Sequence, residues 1–200
     1  MKIFNFNFNR ELIYKVNVER QIRPIKDQLL LDVSRWRFDT RGILNTETNG
    51  GYNYHVTSEH TNFLMNLFEK QARRFLNDFN MKWNTNQIWC YYSDNNFTKG
   101  DTWHNHINTS TIVGVLYLKT VPKCGFEYCN SSNIPRADCL DKDYDRENKI
   151  IKYMEVKDYD LLIFPNFLDH RPIPHPSETR ISLNMELTCK ESAEQIFNLI

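Results

Sequence analysis

Two of the six histidines stand two residues apart, as His104 and His106 in GDTWHNHINTS, just before the strongest strand-like run, STIVGVLYLKT. Residues i and i+2 of a strand project to one face, so both imidazoles can reach a single metal ion at ~2.1 Å. A third histidine, His170, follows DLLIFPNFLD, an apolar strand pattern that ends in an aromatic turn. Strands distant in sequence become neighbours in a closed sheet, so His170 can complete a three-ligand cap with coordination positions left open for reactants. Taken singly, an H-x-H fits two polar residues at a strand edge, and a lone histidine fits a solvated loop. His55, His60 and His175 have no such context and are read as solvated.

Arg180 opens the strand-like segment RISLNMEL ten residues beyond His170, and Ser182 shares its face. A guanidinium projecting into a pocket offers a planar fork of donors to a carboxylate, and a neighbouring hydroxyl adds another hydrogen bond. A basic residue at a strand start is ordinarily a solvated charge. The joint sequence of H-x-H, a distant His and then R-x-S is what lifts these residues above their individual readings.

The elements that must position them are mostly strands. MKIFNFNFN and ELIYKVNV alternate with period two, as half-buried outer strands do. Residues 20–33 predict a short helix or turn opened near Pro24, and the polar, Gly-containing stretch 40–53 predicts a loop. From Ser58 to Phe79, apolar residues fall at spacings of three and four with Ser58 as N-cap, which predicts a helix packing one face against a sheet. After Trp83 come the short runs QIWCYYS, STIVGVLYLKT, GFEYC, IIKYMEV, DLLIFP and RISLNMEL, separated by turn residues. Many short strands imply an antiparallel sandwich or barrel. ESAEQIFNLI predicts a closing helix, and Asn130 to Asn148 is polar enough for an insertion between strands.

A chain of 200 residues fits one domain with a single core. The expected organisation is outer strands and loop over 1–57, a supporting helix over 58–82, a β core over 83–188 and a C-terminal helix over 189–200. Lys+Arg and Asp+Glu balance at 25 each, which argues against nucleic acid or an anionic membrane surface as partner. At 14% aromatic the chain carries too much bulky apolar material for disorder. No apolar run approaches the ~20 residues of a membrane helix and the N-terminus lacks the plan of a signal peptide, so a cytoplasmic protein is expected. Five irregularly spaced cysteines, Cys90, Cys124, Cys129, Cys139 and Cys189, fit reduced thiols better than disulfides. Cys124, Cys129 and Cys139 lack the paired CxxC spacing of a structural zinc site.

From about Trp89 to Leu187 the sequence resembles the iron(II)- and 2-oxoglutarate-dependent dioxygenases, and is most similar to a short subgroup met in phages and marine bacteria. HNHINTSTIVGVLYL resembles that subgroup's H-x-H followed by a small-residue strand. DYDLLIFPNFLDHRPIP and RISLNMEL resemble its strand into Phe-Pro, distal His, Pro-containing loop and R-x-S. The resemblance implies a mostly β chain with flanking helices, built as a double-stranded β-helix (jelly roll) with the helix at about 58–79 packed on it. It implies His104 and His170 as iron ligands, and Arg180 and Ser182 as holders of the distal carboxylate of 2-oxoglutarate. Tyr117 is a weaker carry-over as a further cosubstrate contact. The implied reaction is a dioxygen-dependent hydroxylation, in the host cytoplasm if the chain is phage-encoded, with a protein or peptide side chain as the favoured substrate. Trp103 and Phe167 stand near the proposed ligands as candidate pocket walls.

The wider superfamily carries H-x-D or H-x-E, and here the second position is His106. Exchanging a carboxylate ligand for neutral imidazole leaves the site one unit more positive than the two-histidine, one-carboxylate triad. Either three histidines suffice or another carboxylate enters, Asp101 and Asp169 being nearest in sequence; His106 is favoured because it is in register with His104. Two rival readings remain: a cupin-type metal enzyme that uses no 2-oxo acid, and a non-catalytic jelly-roll binding protein. A cupin is expected to place a glutamate shortly after H-x-H, where this chain has Asn108, Thr109, Ser110 and Thr111, and would leave Arg180 without a role.

Overall fold

Alternating side chains on β10 (Arg180–Cys189) divide the molecule. Ile181, Leu183, Met185 and Leu187 point to one core, while Arg180, Ser182, Asn184 and Glu186 point the other way, as a period of two requires. β10 lies at the centre of a seven-stranded antiparallel sheet of order β1-β8-β5-β10-β4-β3-β2. The other strands are β1 (Tyr14–Asn17), β2 (Thr46–Glu47), β3 (Tyr52–His55), β4 (Trp83–Ser93), β5 (Ile112–Lys119) and β8 (Asp160–Pro165). A smaller antiparallel sheet, β7-β6-β9, consists of β6 (Gly125–Cys129), β7 (Ile151–Glu155) and β9 (His170–Ile173). This computed structural model describes residues 12–38, 46–47, 52–55, 58–76, 83–93, 103–129, 151–173 and 178–189.

One core lies between the outer face of the large sheet and the helices; the other lies between the two sheets. In the first, Leu64, Leu67, Phe68 and Ala72 of α3 (Thr61–Leu76) meet Ile112, Leu116, Leu161, Ile163, Leu183 and Met185, joined by Leu29 and Val33 of α2 (Lys26–Phe38). Gly114 makes this contact close: a Cβ there would stand 2.3 Å from Cδ1 of Phe68. In the second core Val113, Val115, Tyr117, Leu162 and Phe164 face Phe126 of the small sheet, with the Phe126 and Phe164 ring centroids 5.1 Å apart. Two antiparallel sheets closed over a shared interior form the double-stranded β-helix, with helices covering one flank.

Several sequence expectations shift. The segment read as a short helix or turn is a longer helical run: α1 (Glu19–Ile22), a 3-10 turn holding Pro24, and α2 extending to Phe38. The stretch read as a loop over 40–53 contains β2 and part of β3. The helix predicted from Ser58 begins at Thr61. The Ser58 hydroxyl accepts from the His60 N–H at 3.1 Å and donates to Asp32 at 2.7 Å, so Ser58 closes the preceding turn and ties α3 to α2. Phe79, the strand read in residues 3–9, the polar insertion 130–148 and the helix read in ESAEQIFNLI lie outside the described residues.

The Pro-containing stretch after His170, expected from the sequence to be a loop, is the strand β9. Pro172 stands two residues after His170, so its missing N–H is turned away from β6, to the side on which His104 bridges His170, and no bond of the β6 ladder is lost. Cys90, Cys124 and Cys129 are free and buried, and burial pushes the Cys90 thiol far above its usual range. Among the described residues no helix is long and apolar enough to cross a membrane.

Candidate metal centre

The H-x-H segment is not part of a regular strand. His104 forms a single antiparallel bridge with His170, each backbone N–H donating to the other's carbonyl at 3.0 Å. His106 is tied to the turn after β8, its N–H donating to the Asn166 carbonyl at 2.8 Å. These backbone bonds do what a continuous ladder was expected to do: they turn both imidazoles toward His170. The ring centroids lie 5.3 Å (His104–His106), 4.4 Å (His104–His170) and 5.3 Å (His106–His170) apart. One nitrogen from each of the three lies within 4.8 Å of the others, and among the described residues this is the group of His, Cys, Asp or Glu able to hold a metal ion.

The donor set suits a divalent transition metal. His170 is 4% exposed, set between Phe126 at 5.2 Å and Phe164 at 4.8 Å. Burial, and then the neighbouring His104 and His106, hold its imidazole neutral to well below the usual pH. Nδ1 of His170 donates to the Leu168 carbonyl at 2.8 Å, which leaves the lone pair on Nε2. A neutral imidazole with an outward lone pair is the metal-ligating form.

Of the carboxylates considered from sequence, Asp169 is directed away, accepting from Asn105 Nδ2 at 2.8 Å, and Asp101 lies outside the described residues. A different carboxylate adjoins the cluster. Glu186, 3% exposed on β10, has Oε1 2.6 Å from His106 Nδ1 and accepts from the Thr109 hydroxyl at 2.8 Å. Glu186 belongs to none of the sequence motifs that mark the histidines and Arg180. The alternation that paired Arg180 with Ser182 continues through Asn184 to Glu186, and following it two steps further finds both residues.

Arg180 is 2% exposed. Its guanidinium lies over the rings of Tyr117 and Tyr91, at 5.3 and 5.6 Å from their centroids. Nη1 donates to the Ile173 carbonyl at 3.1 Å and Nη2 approaches the Tyr117 hydroxyl at 3.5 Å. Nε has no hydrogen-bond partner among the described residues, and no Asp or Glu among them forms an ion pair with Arg180. A buried cation without a counter-ion is costly, and an anionic ligand removes that cost. Ser182, 1% exposed, lies beside it with its hydroxyl 3.5 Å from Asn184 Oδ1. Tyr117 is fully buried, and burial raises its phenol well above the usual range despite the nearby guanidinium, so it stays a neutral donor.

The Trp103 ring covers the Arg171 guanidinium at 4.8 Å, and Phe167 is 36% exposed at the surface. Phe126, Phe164 and Trp89, whose ring lies 6.2 Å from that of His106, are the aromatics beside the cluster. Arg171 makes a buried ion pair with Glu127, from Nε at 2.8 Å and Nη2 at 2.5 Å. His60 is half-buried beside Glu59, and the side chains of His55 and His175 lie outside the description.

No protein-family profile matches the sequence, and no curated protein matches it. Solved structures do. The non-heme alpha-ketoglutarate-dependent carbocyclase SnoK from nogalamycin biosynthesis is similar at a TM-score of 0.65 and 12% identity, over 90% of this chain and 80% of that one. HygX from Streptomyces hygroscopicus, solved with nickel and 2-oxoglutarate bound, gives 0.57 and 12% over 95% and 87%. A Pseudomonas putida prolyl-4-hydroxylase gives 0.56 and 9% over 91% and 95%. With its two sheets, flanking helices and histidine cluster, the chain has the double-stranded β-helix fold of the 2-oxoglutarate- and iron(II)-dependent oxygenases.

Proposed function

We propose that this protein is a 2-oxoglutarate-dependent oxygenase that holds iron(II) on His104, His106 and His170 and anchors 2-oxoglutarate through Arg180. One observation carries the reading: the fold that brings the three imidazole nitrogens within 4.8 Å of one another also buries, on the facing sheet, a guanidinium that ion-pairs with no carboxylate among the described residues. A metal site alone fits many activities. A metal site with an uncompensated buried cation in the same fold calls for a metal-binding ligand that also carries a distant carboxylate, and 2-oxoglutarate is such a ligand.

The bound iron supplies the activation of dioxygen: 2-oxoglutarate, dioxygen and a substrate C–H bond give succinate, carbon dioxide and the hydroxylated substrate. The chain's own residues do the rest. Arg180, with its fork in a dry environment, forms charge-assisted hydrogen bonds to the distal carboxylate. Tyr117 and Ser182 add neutral hydroxyl donors, and the rings of Tyr91 and Tyr117 adjoin the guanidinium. Phe126 and Phe164 keep water from the His170 side of the cluster, which strengthens each electrostatic contact there.

For the second substrate we propose a protein or peptide side chain. The similarity to a prolyl-4-hydroxylase supports that class, as do the exposed Ile107 and Phe167 beside the ligand-bearing turns, an apolar rim suited to a docked chain. The test is iron-dependent succinate formation measured over a panel of peptides and small metabolites. Stimulation by peptides is expected, and stimulation by metabolites alone would reject the substrate class.

A further inference from the structure

We propose that Glu186 acts through His106 as the site's missing carboxylate: it supplies from behind the imidazole the negative charge that an H-x-D site carries on the metal, and it fixes Nε2 as the nitrogen His106 offers. The inference rests on the reading of the three histidines as a metal site. The contact that carries it is short and buried, Oε1 of Glu186 lying 2.6 Å from His106 Nδ1 with the carboxylate 3% exposed.

A carboxylate can only accept, so Nδ1 of His106 carries the hydrogen and the lone pair remains on Nε2. His170 reaches the same tautomer through a neutral carbonyl, that of Leu168, whereas His106 reaches it through a charge. The two ligands are therefore unequal. An imidazole hydrogen-bonded to a carboxylate is more basic and carries part of an anion's character toward the ion it binds. Chain geometry holds the carboxylate in place. Thr109, in the turn that follows His106, donates its hydroxyl hydrogen to the same Oε1 at 2.8 Å and its backbone N–H to the His106 carbonyl at 3.1 Å, so turn and acid are fixed to one another. A carboxylate this deeply buried is expensive to keep ionised, and a divalent ion on the far side of the imidazole repays that cost.

The test uses cobalt(II) alone as probe, on the full-length, metal-stripped protein, with affinity read by competition against a chelator. The histidine tautomers are read separately by nitrogen-15 NMR without metal. Wild type is expected to bind cobalt and to show His106 as the Nδ1–H tautomer. Glu186→Gln keeps the shape and loses the charge; it should weaken cobalt binding by about 10–100-fold and mix the tautomers. Adding His106→Asp to Glu186→Gln returns a carboxylate to the metal and should recover at least tenfold of the loss. Glu186→Gln binding cobalt like wild type, while His170→Ala does not, would overturn the role of Glu186 and leave the metal site standing. A wild-type protein that takes up no cobalt would overturn both. An Nε2–H tautomer for His106 in the wild type would overturn the proposal without recourse to any variant.

Discussion

His104 and His170, 66 residues apart in sequence, hold each other by their backbones, each N–H on the other's carbonyl at 3.0 Å, with their rings 4.4 Å apart. The approach of these two imidazoles is therefore set by the backbone of the fold.

The residues flanking this bridge secure it from the other side. Trp103 precedes His104, Arg171 follows His170, and the Arg171 guanidinium is held between the Trp103 ring and buried Glu127. Arg171→Met leaves the Glu127 charge in an apolar setting and is expected to cost about 3–5 kcal/mol, whereas Arg171→Met with Glu127→Leu should recover most of it. Chemical denaturation of the four proteins of this cycle measures both. Additive losses would remove the ion pair from the account.

Close approach of α3 to the large sheet depends on Gly114. Because a Cβ there meets Phe68 at 2.3 Å, Gly114→Ala should destabilise by about 1–3 kcal/mol, and Phe68→Leu should relieve part of that loss. Thermal melting of the single and double variants decides it; an unchanged melting temperature in Gly114→Ala would mean that the helix packs otherwise.

Stability of the metal-free protein should depend on His170. An unfolded imidazole takes up a proton near pH 6.5, whereas in the fold burial, then His104 and His106, keep His170 neutral to lower pH. The unfolded chain then binds more protons, so this contribution is complete above about pH 6.5 and is lost as pH falls below it, by at most about 1.4 kcal/mol per unit. Melting temperatures between pH 5.5 and 8 in the presence of a chelator should fall more steeply on the acid side for wild type than for His170→Leu. Parallel curves would contradict the neutral, buried state of His170.

The strand pattern after Trp83 was legible because each run has apolar residues on both faces or alternates cleanly, and α3 was legible from its stripe. β9 was not, because His170, Arg171 and Pro172 carry no period and a proline reads as a break; tertiary placement at a sheet edge decides the matter. The convergence of the histidines was suggested by joint spacing, yet the backbone that delivers it, an isolated bridge and a tie to Asn166, leaves no mark in sequence. Glu186 was hidden for a different reason. Its signal, the fourth polar residue in R-x-S-x-N-x-E, was present, but a charged residue near a strand end reads as solvated until burial is known.

Anaerobic addition of iron(II) and then 2-oxoglutarate, followed by visible absorption, tests the central claim most directly. Wild type is predicted to develop a charge-transfer band, Arg180→Ala to bind iron without the band at the same 2-oxoglutarate concentration, and His170→Ala to lose both. A band that survives in Arg180→Ala, or iron binding untouched in His170→Ala, would contradict the account.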